Sequence, residues 1–268
     1  MRPATEAELA EMVAGAAGPL RVRGGGTRAV GPEAGAVLET AGLSGVEVYE
    51  PGALTLVVRA GTPLAEVEAV LAGERQRLAF EVPDFRRLLA RDGTSTIGGV
   101  VAANASGPRR VQAGACRDAL IGVRFVDGRG QVVKNGGRVM KNVTGYDLVK
   151  LMAGSHGVLG VLSEVSFKVQ AIPEAEATLG IEGLDDAAGL AVLRRALGSP
   201  FDISGAARVA GRSLIRVEGM AGSVAYRVGR LRSLVAADVT VAEGAESAAL
   251  WRDVRDVAAL AGRPGDLW

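Results

Sequence analysis

GTSTIGGVVAANASG, residues 93–107, decides the reading of this chain. Gly98 and Gly99 directly precede a helix built of small residues, and a run of Gly, Ala, Ser and Thr lets backbone come close to a flat ligand. A helix starting there is expected to point free N–H groups, with a partial positive charge, at whatever sits before it. A second cluster, RVRGGGTR at 21–28, directly follows a short apolar strand. One glycine loop reads as well as a plain turn. Two, far apart in sequence, point to a ligand with a diphosphate and a large planar ring.

The bulk properties exclude several function classes. The chain has 268 residues, enough to bury a sizeable core in one large or two smaller domains. A net charge of +1 gives no electrostatic case for nucleic acid or an anionic membrane. Aromatic residues make up only 4%, too few for a base-stacking surface. Cys116 is the only cysteine, so intrachain disulfides and cysteine-ligand metal sites are ruled out. His156 is the only histidine, which excludes His-rich zinc sites, and no metal site is expected. The N-terminus, MRPATEAELAEMV, carries charge where a signal peptide needs an apolar core. No stretch reaches the roughly 20 apolar residues that span a bilayer. The chain reads as a soluble, cytoplasmic protein, and Asn142-Val143-Thr144 as a chance glycosylation match.

Patterning predicts the organisation. Thr5 and Glu8 form a capping box for a helix to about Ala17, and a strand at Leu20–Arg23 runs into the triple glycine. Strands near Val46–Tyr49 and Leu54–Arg59 flank the Pro51-Gly52 turn. Thr62-Pro63 reads as N-cap and first-turn proline of a helix through Leu71. Beyond the Gly98 helix come a hairpin turning at Asp127-Gly128, a short helix ending at Gly154, and an alternating strand from Val161 to Val169. The texture changes at QAIPEAEA (170–177), giving domains 1–170 and 171–268. The second reads strand 177–182, helix 185–197, strands 203–209 and 212–218, helix 221–235, strand 238–242, the βαββαβ order of ferredoxin-like folds. A last helix is expected over Ala245–Ala261.

Common nucleotide motifs are absent. RGGGTRAVG lacks the spacing of a Rossmann fingerprint, and no Walker Gly-Lys-Ser/Thr occurs. His156 in GSHG reads as an exposed loop residue or a helix C-terminal cation rather than a base, and Cys116 in GACRD as an inert, half-buried thiol rather than a reactive thiol or flavin attachment point. Arg109-Arg110 read as structural or partner-facing. Lys141, Tyr146 and Asp147 cluster before a helix; Asp147 either satisfies first-turn amides or, with its neighbours, faces a cofactor ring.

RVRGGGTR, TIGGVVAANASGPRR and the long segment from RDALIG to GVLGVLSEV together resemble the vanillyl-alcohol-oxidase/PCMH flavoproteins. NASGPRR and GGRVMKNVTGYDLVKL are specifically similar to an FAD-binding subunit of bacterial glycolate oxidases. The resemblance covers about 20–170; beyond it, only the element order is similar. It implies an α+β protein: a PCMH-type FAD-binding domain of two α/β subdomains, then a ferredoxin-like (βαββαβ) partial cap domain. By resemblance, Arg23, Gly24, Gly25, Gly26 and Thr27 would cradle the pyrophosphate with backbone N–H groups, continued by Gly93, Thr96, Ile97, Gly98 and Gly99. Ala103, Asn104, Ser106 and Gly107 would line the approach to the flavin or its ribityl chain, and Gly160 and Val161 the adenine or ribose side.

Three departures qualify the likeness. Covalent members attach flavin through a His or Cys, often in the first glycine loop. This loop has neither, so FAD is expected to be non-covalent. VPDFRRLLARDG inserts a charged, helix-like piece where relatives carry a shorter link with prolines, which leaves Pro83 and Asp84 without a carried-over role. Family members often run past a Leu-Trp like that at 267–268, so the cap is expected to be C-terminally incomplete.

The resemblance implies an FAD subunit of a glycolate-oxidase-type complex that oxidises a small 2-hydroxy acid, such as glycolate or D-lactate, by hydride transfer to flavin N5. A sister FAD subunit and an iron–sulfur subunit would be its partners, since one cysteine cannot hold a cluster. Any membrane association would come through that complex. Residues 171–268 contain no His or Lys, only arginines such as Arg194, Arg195, Arg208, Arg212 and Arg216, so no base for the hydroxyl proton is visible. The catalytic residues stay unassigned, and the chain is expected to support electron flow rather than act alone. The alternatives are a non-catalytic structural subunit with a retained flavin fold, and a flavin reductase of the cell-wall UDP-sugar type, which lacks the NASGPRR and GYDLVKL wording.

Overall fold

The structure is a computed structural model that describes residues 1–28, 34–137, 145–235 and 238–263. The chain forms two compact units. The first holds residues 1–80, 89–105 and 115–171; the second holds 81–88, 106–114 and 172–268.

In the first unit, helix α1 (Glu6–Ala14) starts as the sequence predicts, with Thr5 Oγ1 accepting from the Glu8 N–H at 3.2 Å. The return bond of the box is shifted by one residue: Glu8 Oε2 accepts from Ala4 N at 2.8 Å. Strand β1 (Leu20–Arg23) pairs in parallel with β2 (Ala36–Glu39), a strand that the patterning does not signal. Leu9, Val13, Leu38 and Leu43 close the core beneath this pair.

A larger sheet follows. Strands β3 (Val46–Glu50) and β4 (Thr55–Arg59) pair across the expected Pro51 turn, and α2 (Leu64–Gly73) leads to β5 (Gln76–Leu78). The N-cap of α2 is Pro63; the Thr62 hydroxyl instead donates to the Arg59 carbonyl at 2.7 Å and accepts from the Gly45 N–H at 2.9 Å. After the single turn α3 (Arg86–Leu89) come α4 (Ile97–Ala102), and the short α5 (Arg110–Ala113) and α6 (Cys116–Ala119). Strands β6 (Leu120–Val126) and β7 (Val132–Gly136) form the predicted hairpin, with Asp127 Oδ1 accepting from the N–H groups of Arg129 and Gln131 at 2.9 Å. Helix α7 (Leu148–Met152) precedes β8 (Val161–Ala171). The sheet order is β3-β4-β8-β6-β7, with β5 also on β8. The alternation expected of β8 is largely lost, because a central strand is covered on both faces: Ser163 and Ser166 are buried beside Val165 and Phe167.

The second unit contains β9 (Ala175–Ile181), α8 (Asp186–Leu197), β10 (Gly205–Val209), β11 (Arg212–Gly219), α9 (Ala221–Val235), β12 (Val239–Glu243) and α10 (Gly244–Arg255). All pairings are antiparallel and the order is β10-β11-β9-β12, as the ferredoxin-like reading requires. Period-2 patterning splits the sheet cleanly. Leu179, Ile181, Ile215 and Val217 face α8 and α9, meeting Val192, Leu193, Val224 and Leu231. Thr178, Arg216 and Glu218 lie on the opposite face, where Trp251 of α10 is packed. The last helix is shorter than predicted: α10 stops at Arg255, and Val257 turns the chain at φ 52° into a short 3-10 segment. The Asp256 carboxylate draws the chain out of the helix by accepting from Arg255 Nε at 2.7 Å and from the Asp84 N–H at 2.8 Å.

Candidate functional site

The first unit holds a cavity of about 400 Å³, a volume typical of ligand pockets. It is built where β1 runs into the triple glycine, against the loop that enters α4. Each glycine here has a specific reason. A Cβ on Gly25 would lie 1.5 Å from the Thr94 carbonyl oxygen, and one on Gly24 2.3 Å from Thr96 Oγ1. One on Gly93, at φ +115°, would lie 2.1 Å from the Gly25 carbonyl oxygen. The two glycine clusters are therefore pressed against each other, backbone to backbone. Gly26, at φ +73°, turns the chain back along the cavity wall.

This arrangement corrects the expectation about α4. Its first-turn N–H groups are not free: Ile97 donates to Thr62 O at 3.0 Å and Gly98 to Ala60 O at 2.7 Å. Gly99 donates to Thr96 Oγ1 at 3.3 Å. Gly98 lacks a side chain because β4's end sits against it, with Ala60 Cβ 2.7 Å from where its Cβ would be. The open donors are in the other loop. Among the described residues, the backbone N–H groups of Gly25, Gly26 and Thr27 meet no intramolecular acceptor.

Of the residues singled out from sequence, Arg23, Gly24, Gly25, Gly26, Thr27, Thr96, Gly98, Gly99, Ala103 and Gly160 line the cavity. Gly93, Ile97, Asn104 and Val161 do not. Ile97 and Val161 are buried in the core. Asn104, at φ 45°, uses Oδ1 to accept from the Arg117 N–H at 3.0 Å. Ser106 and Gly107 belong to the second unit, where a Cβ on Gly107 would crowd Glu81 at 2.9 Å.

Residues missed by sequence reasoning complete the walls, notably Arg21, Arg28, Arg91, Ser155 and Gly157. With Arg23 they place four arginines around one cavity, a lining suited to an anionic ligand. Arg23 is paired with Glu39, and Arg28 Nη1 donates to Ser95 Oγ at 2.8 Å. Ser155 is buried and its hydroxyl has no hydrogen-bond partner among the described residues. GSHG carried a signal for this wall, since a Gly-rich turn entering a strand brings backbone close to whatever it faces. His156 is exposed, as expected, yet it lines the rim, at φ 51° with its N–H on Ala102 O.

Of the remaining candidates, Cys116 and Asp147 have structural roles. Cys116 is fully buried, and burial pushes its thiol well above the ordinary range, which leaves no reactive thiolate. Asp147 caps α7 through Lys150 N at 3.1 Å, and Tyr146 is exposed. Lys141 and the Asn142–Thr144 triplet lie outside the described residues. Among the described residues no group of acids, His or Cys could hold a metal, and no helix is long and apolar enough to cross a membrane.

In the second unit several arginines are engaged. Arg208 is held by Asp186 at 2.8 Å and Arg212 by Glu182 at 2.8 Å. Arg216, 1% exposed, donates through Nη1 and Nη2 to both Glu81 oxygens at 2.8 and 3.0 Å. Arg109 grips Glu218 side-on, donating through Nε and Nη2 at 3.0 and 2.9 Å. Burial pushes the Glu81 carboxyl up, but the Arg216 hydrogen bonds and the nearby Arg109 charge outweigh it and hold the group below its ordinary value. Glu176 goes the other way: burial raises it, and one bond from Ser247 Oγ at 2.6 Å does not compensate.

The open amides, the unpartnered buried hydroxyl and the arginine lining fit a dinucleotide cofactor with a diphosphate. Comparisons with known proteins agree on the family. The chain is 38% identical over 209 residues to the glycolate oxidase subunit GlcE of Escherichia coli (strain K12), covering 77% of this chain and 57% of that protein. It is 34% identical over 165 residues to the glycolate oxidase subunit GlcD of Bacillus subtilis (strain 168), covering 60% of this chain and 34% of that protein. A solved structure of an alkyldihydroxyacetonephosphate synthase superposes with a TM-score of 0.73 at 19% identity, over 96% of this chain and 56% of that one, a likeness of fold. The chain thus spans between a third and three-fifths of the length of these proteins. Residues 1–136, half of the sequence, match the family model described as the FAD binding domain, and the chain belongs to that family.

Proposed function

We propose that this chain is the FAD-carrying subunit of a glycolate-oxidase-type complex that oxidises a small 2-hydroxy acid, such as glycolate or D-lactate, to the 2-oxo acid. Residues 1–170, apart from 81–88 and 106–114, form the flavin domain; those two segments join 171–268 in the cap. The observation that carries the reading is the cavity whose wall leaves the Gly25–Thr27 amides and Ser155 Oγ without an acceptor or partner among the described residues. Those amides, with Arg21, Arg28 and Arg91 nearby, would hold the diphosphate, and Thr96, Gly98, Gly99, Ala103 and Gly160 would flank the rest of the cofactor. When bound, FAD supplies the two-electron acceptor that no side chain of this protein provides.

The chain's own contribution is to bind, orient and shield that group. The first glycine loop contains no His or Cys, so attachment is non-covalent. Proton abstraction from a hydroxy acid needs a base. The second unit offers neither His nor Lys, and its buried arginines are already paired. A sister FAD subunit therefore oxidises the acid and an iron–sulfur subunit takes the electrons, while this chain supports electron transfer between them.

The test is reconstitution of the purified chain with FAD, removal of excess, and a visible spectrum before and after acid precipitation. Bound, acid-releasable flavin is the expected result. A protein that stays colourless both alone and in the co-expressed complex overturns the reading and leaves a structural subunit. Turnover of glycolate by the isolated chain with an artificial acceptor overturns the division of labour.

A further inference from the structure

The polar face of the second unit's sheet has the chemistry of a carboxylate-recognition site. Two guanidinium groups each present a planar fork, the geometry by which arginine binds a carboxylate ligand. Glu81 receives both Arg216 nitrogens, the Arg109 backbone N–H at 2.7 Å, and a further approach from Arg109 Nη2 at 3.4 Å. That is a complete donor shell for one carboxylate. Glu218 occupies the second fork, on Arg109. Trp251 forms a flat wall, with the Arg216 guanidinium 4.5 Å over its ring, and Ser204 Oγ is within 3.2 Å of Arg216 Nε.

We propose that this face is a carboxylate site which the chain fills with its own Glu81 and Glu218, closing it to small 2-hydroxy acids. The inference rests on the reading of this chain as a flavin subunit that does not itself oxidise the acid, and it gives that reading a structural cause. An incoming carboxylate would have to expel a tethered one, whose effective concentration a free acid does not match. It would also leave the expelled carboxylate without its cation in a buried setting. Glu176, on the same face and two residues from Thr178, adds a further acid that opposes an anion. Truncating Glu81 to alanine removes a CH₂–COO⁻ unit, the heavy atoms of acetate, and glycolate differs from acetate by one hydroxyl.

The experiment uses the full chain reconstituted with FAD and carrying Trp268→Phe, which leaves Trp251 as its one tryptophan. Emission and melting temperature are followed against sodium acetate and sodium glycolate, with sodium chloride at equal ionic strength as reference. The parent is expected to respond no differently from chloride. Glu81→Ala and Glu218→Ala are expected to show a saturable emission change and a ligand-dependent rise in melting temperature, with apparent affinity at least about tenfold above the parent. Glu81→Gln keeps the volume filled and is expected to show no carboxylate response.

A saturable glycolate response in the parent overturns the proposal, as does one in Glu81→Gln. So does the absence of any response in both alanine variants. If an alanine variant does not fold, recovery of its circular dichroism in acetate or glycolate supports the site, and failure to recover in either counts against it. The flavin spectrum of the same samples keeps the two readings apart. Retained flavin with no carboxylate response sinks only this inference. A parent that takes up no flavin either alone or in the co-expressed complex sinks the proposed function, while the carboxylate responses still decide whether the face is closed.

Discussion

The two polar places in this protein are made by opposite devices. In the first unit, glycine removes side chains, the two loops pack backbone to backbone, and donors of the main chain are left over at Gly25–Thr27. In the second, side chains of both signs are supplied together, and Arg109, Arg216, Glu81 and Glu218 consume one another. Both regions are rich in arginine, so arginine content alone would not separate them. What separates them is whether a donor is left without an internal acceptor. That criterion marks the first as a place for a ligand and the second as a place closed by the chain itself.

The largest effect should come from breaking the closed region on one side only. Arg216→Met removes a buried guanidinium and leaves Glu81, with its side chain 12% exposed, short of its main partner. A cost of about 3–5 kcal/mol is expected, read as a fall in melting temperature or denaturation midpoint. Adding Glu81→Gln should recover part of that loss, because the stranded charge goes with it. Additive losses in the double variant would show that the pair is not coupled, and the contrast between the two regions would lose its energetic basis.

Next in size is Gly25→Ala. Its Cβ would fall 1.5 Å from a backbone oxygen that has nowhere to go without parting the loops. A loss of about 3 kcal/mol is expected, together with loss of flavin on gel filtration. Gly52→Ala, where nothing lies within 4 Å, is the matched control and should stay within about 0.5 kcal/mol of the parent. An alanine at 25 that keeps both stability and flavin would mean that the loops do not need their close approach.

A third test uses pH on the closed region. The folded-state carboxyl of Glu81 is depressed, so its contribution is present above the ordinary carboxylate value and is lost as pH falls through the lower, folded value. Glu176 is raised by burial. Between its ordinary and folded values the native state binds more protons than the unfolded one, so stability declines there as pH rises. Glu176→Gln should therefore stabilise the protein at neutral pH and flatten that decline, while leaving the acid limb to Glu81. A variant whose stability curve keeps the parent's slope would show that Glu176 is not strained by its burial.

Much of the fold could be read from the sequence, and for identifiable reasons. Period-2 and period-3.6 patterns placed β9 to β12 and α8 and α9 almost to the residue, because each has one apolar face and one polar face. Strand β2 escaped because AVLE is four residues long and sits at the edge of a two-stranded pair, with no alternation to display. Strand β8 was placed but misjudged in burial, since local patterning does not report how many neighbours a strand will acquire. For the cavity, the glycine clusters pointed to the right loops while misassigning the donors. Hydrogen bonds from α4 to Thr62 and Ala60 are long-range, and no local motif at 96–99 encodes them. Ser155, Arg21 and Arg91 come to line the cavity only through tertiary packing.

The smallest expected effect is the one most specific to the open region. Ser155 Oγ is buried at the cavity wall with no partner among the described residues, so in the flavin-free protein it carries a desolvation cost without a bond to offset it. Ser155→Ala should therefore leave the flavin-free form as stable as the parent or slightly more so. If the hydroxyl is kept for the cofactor, the same change should weaken flavin binding by about 1 kcal/mol, roughly five- to tenfold in affinity. The measurement is a pair of melting curves with and without FAD, plus a fluorescence titration of the cofactor. Loss in the loaded form alone is the signature of a donor held open for a ligand, the property that distinguishes this cavity from the self-satisfied face of the second unit. Equal losses in both forms would assign Ser155 to packing and leave the open-donor role on this wall to the glycine-loop amides.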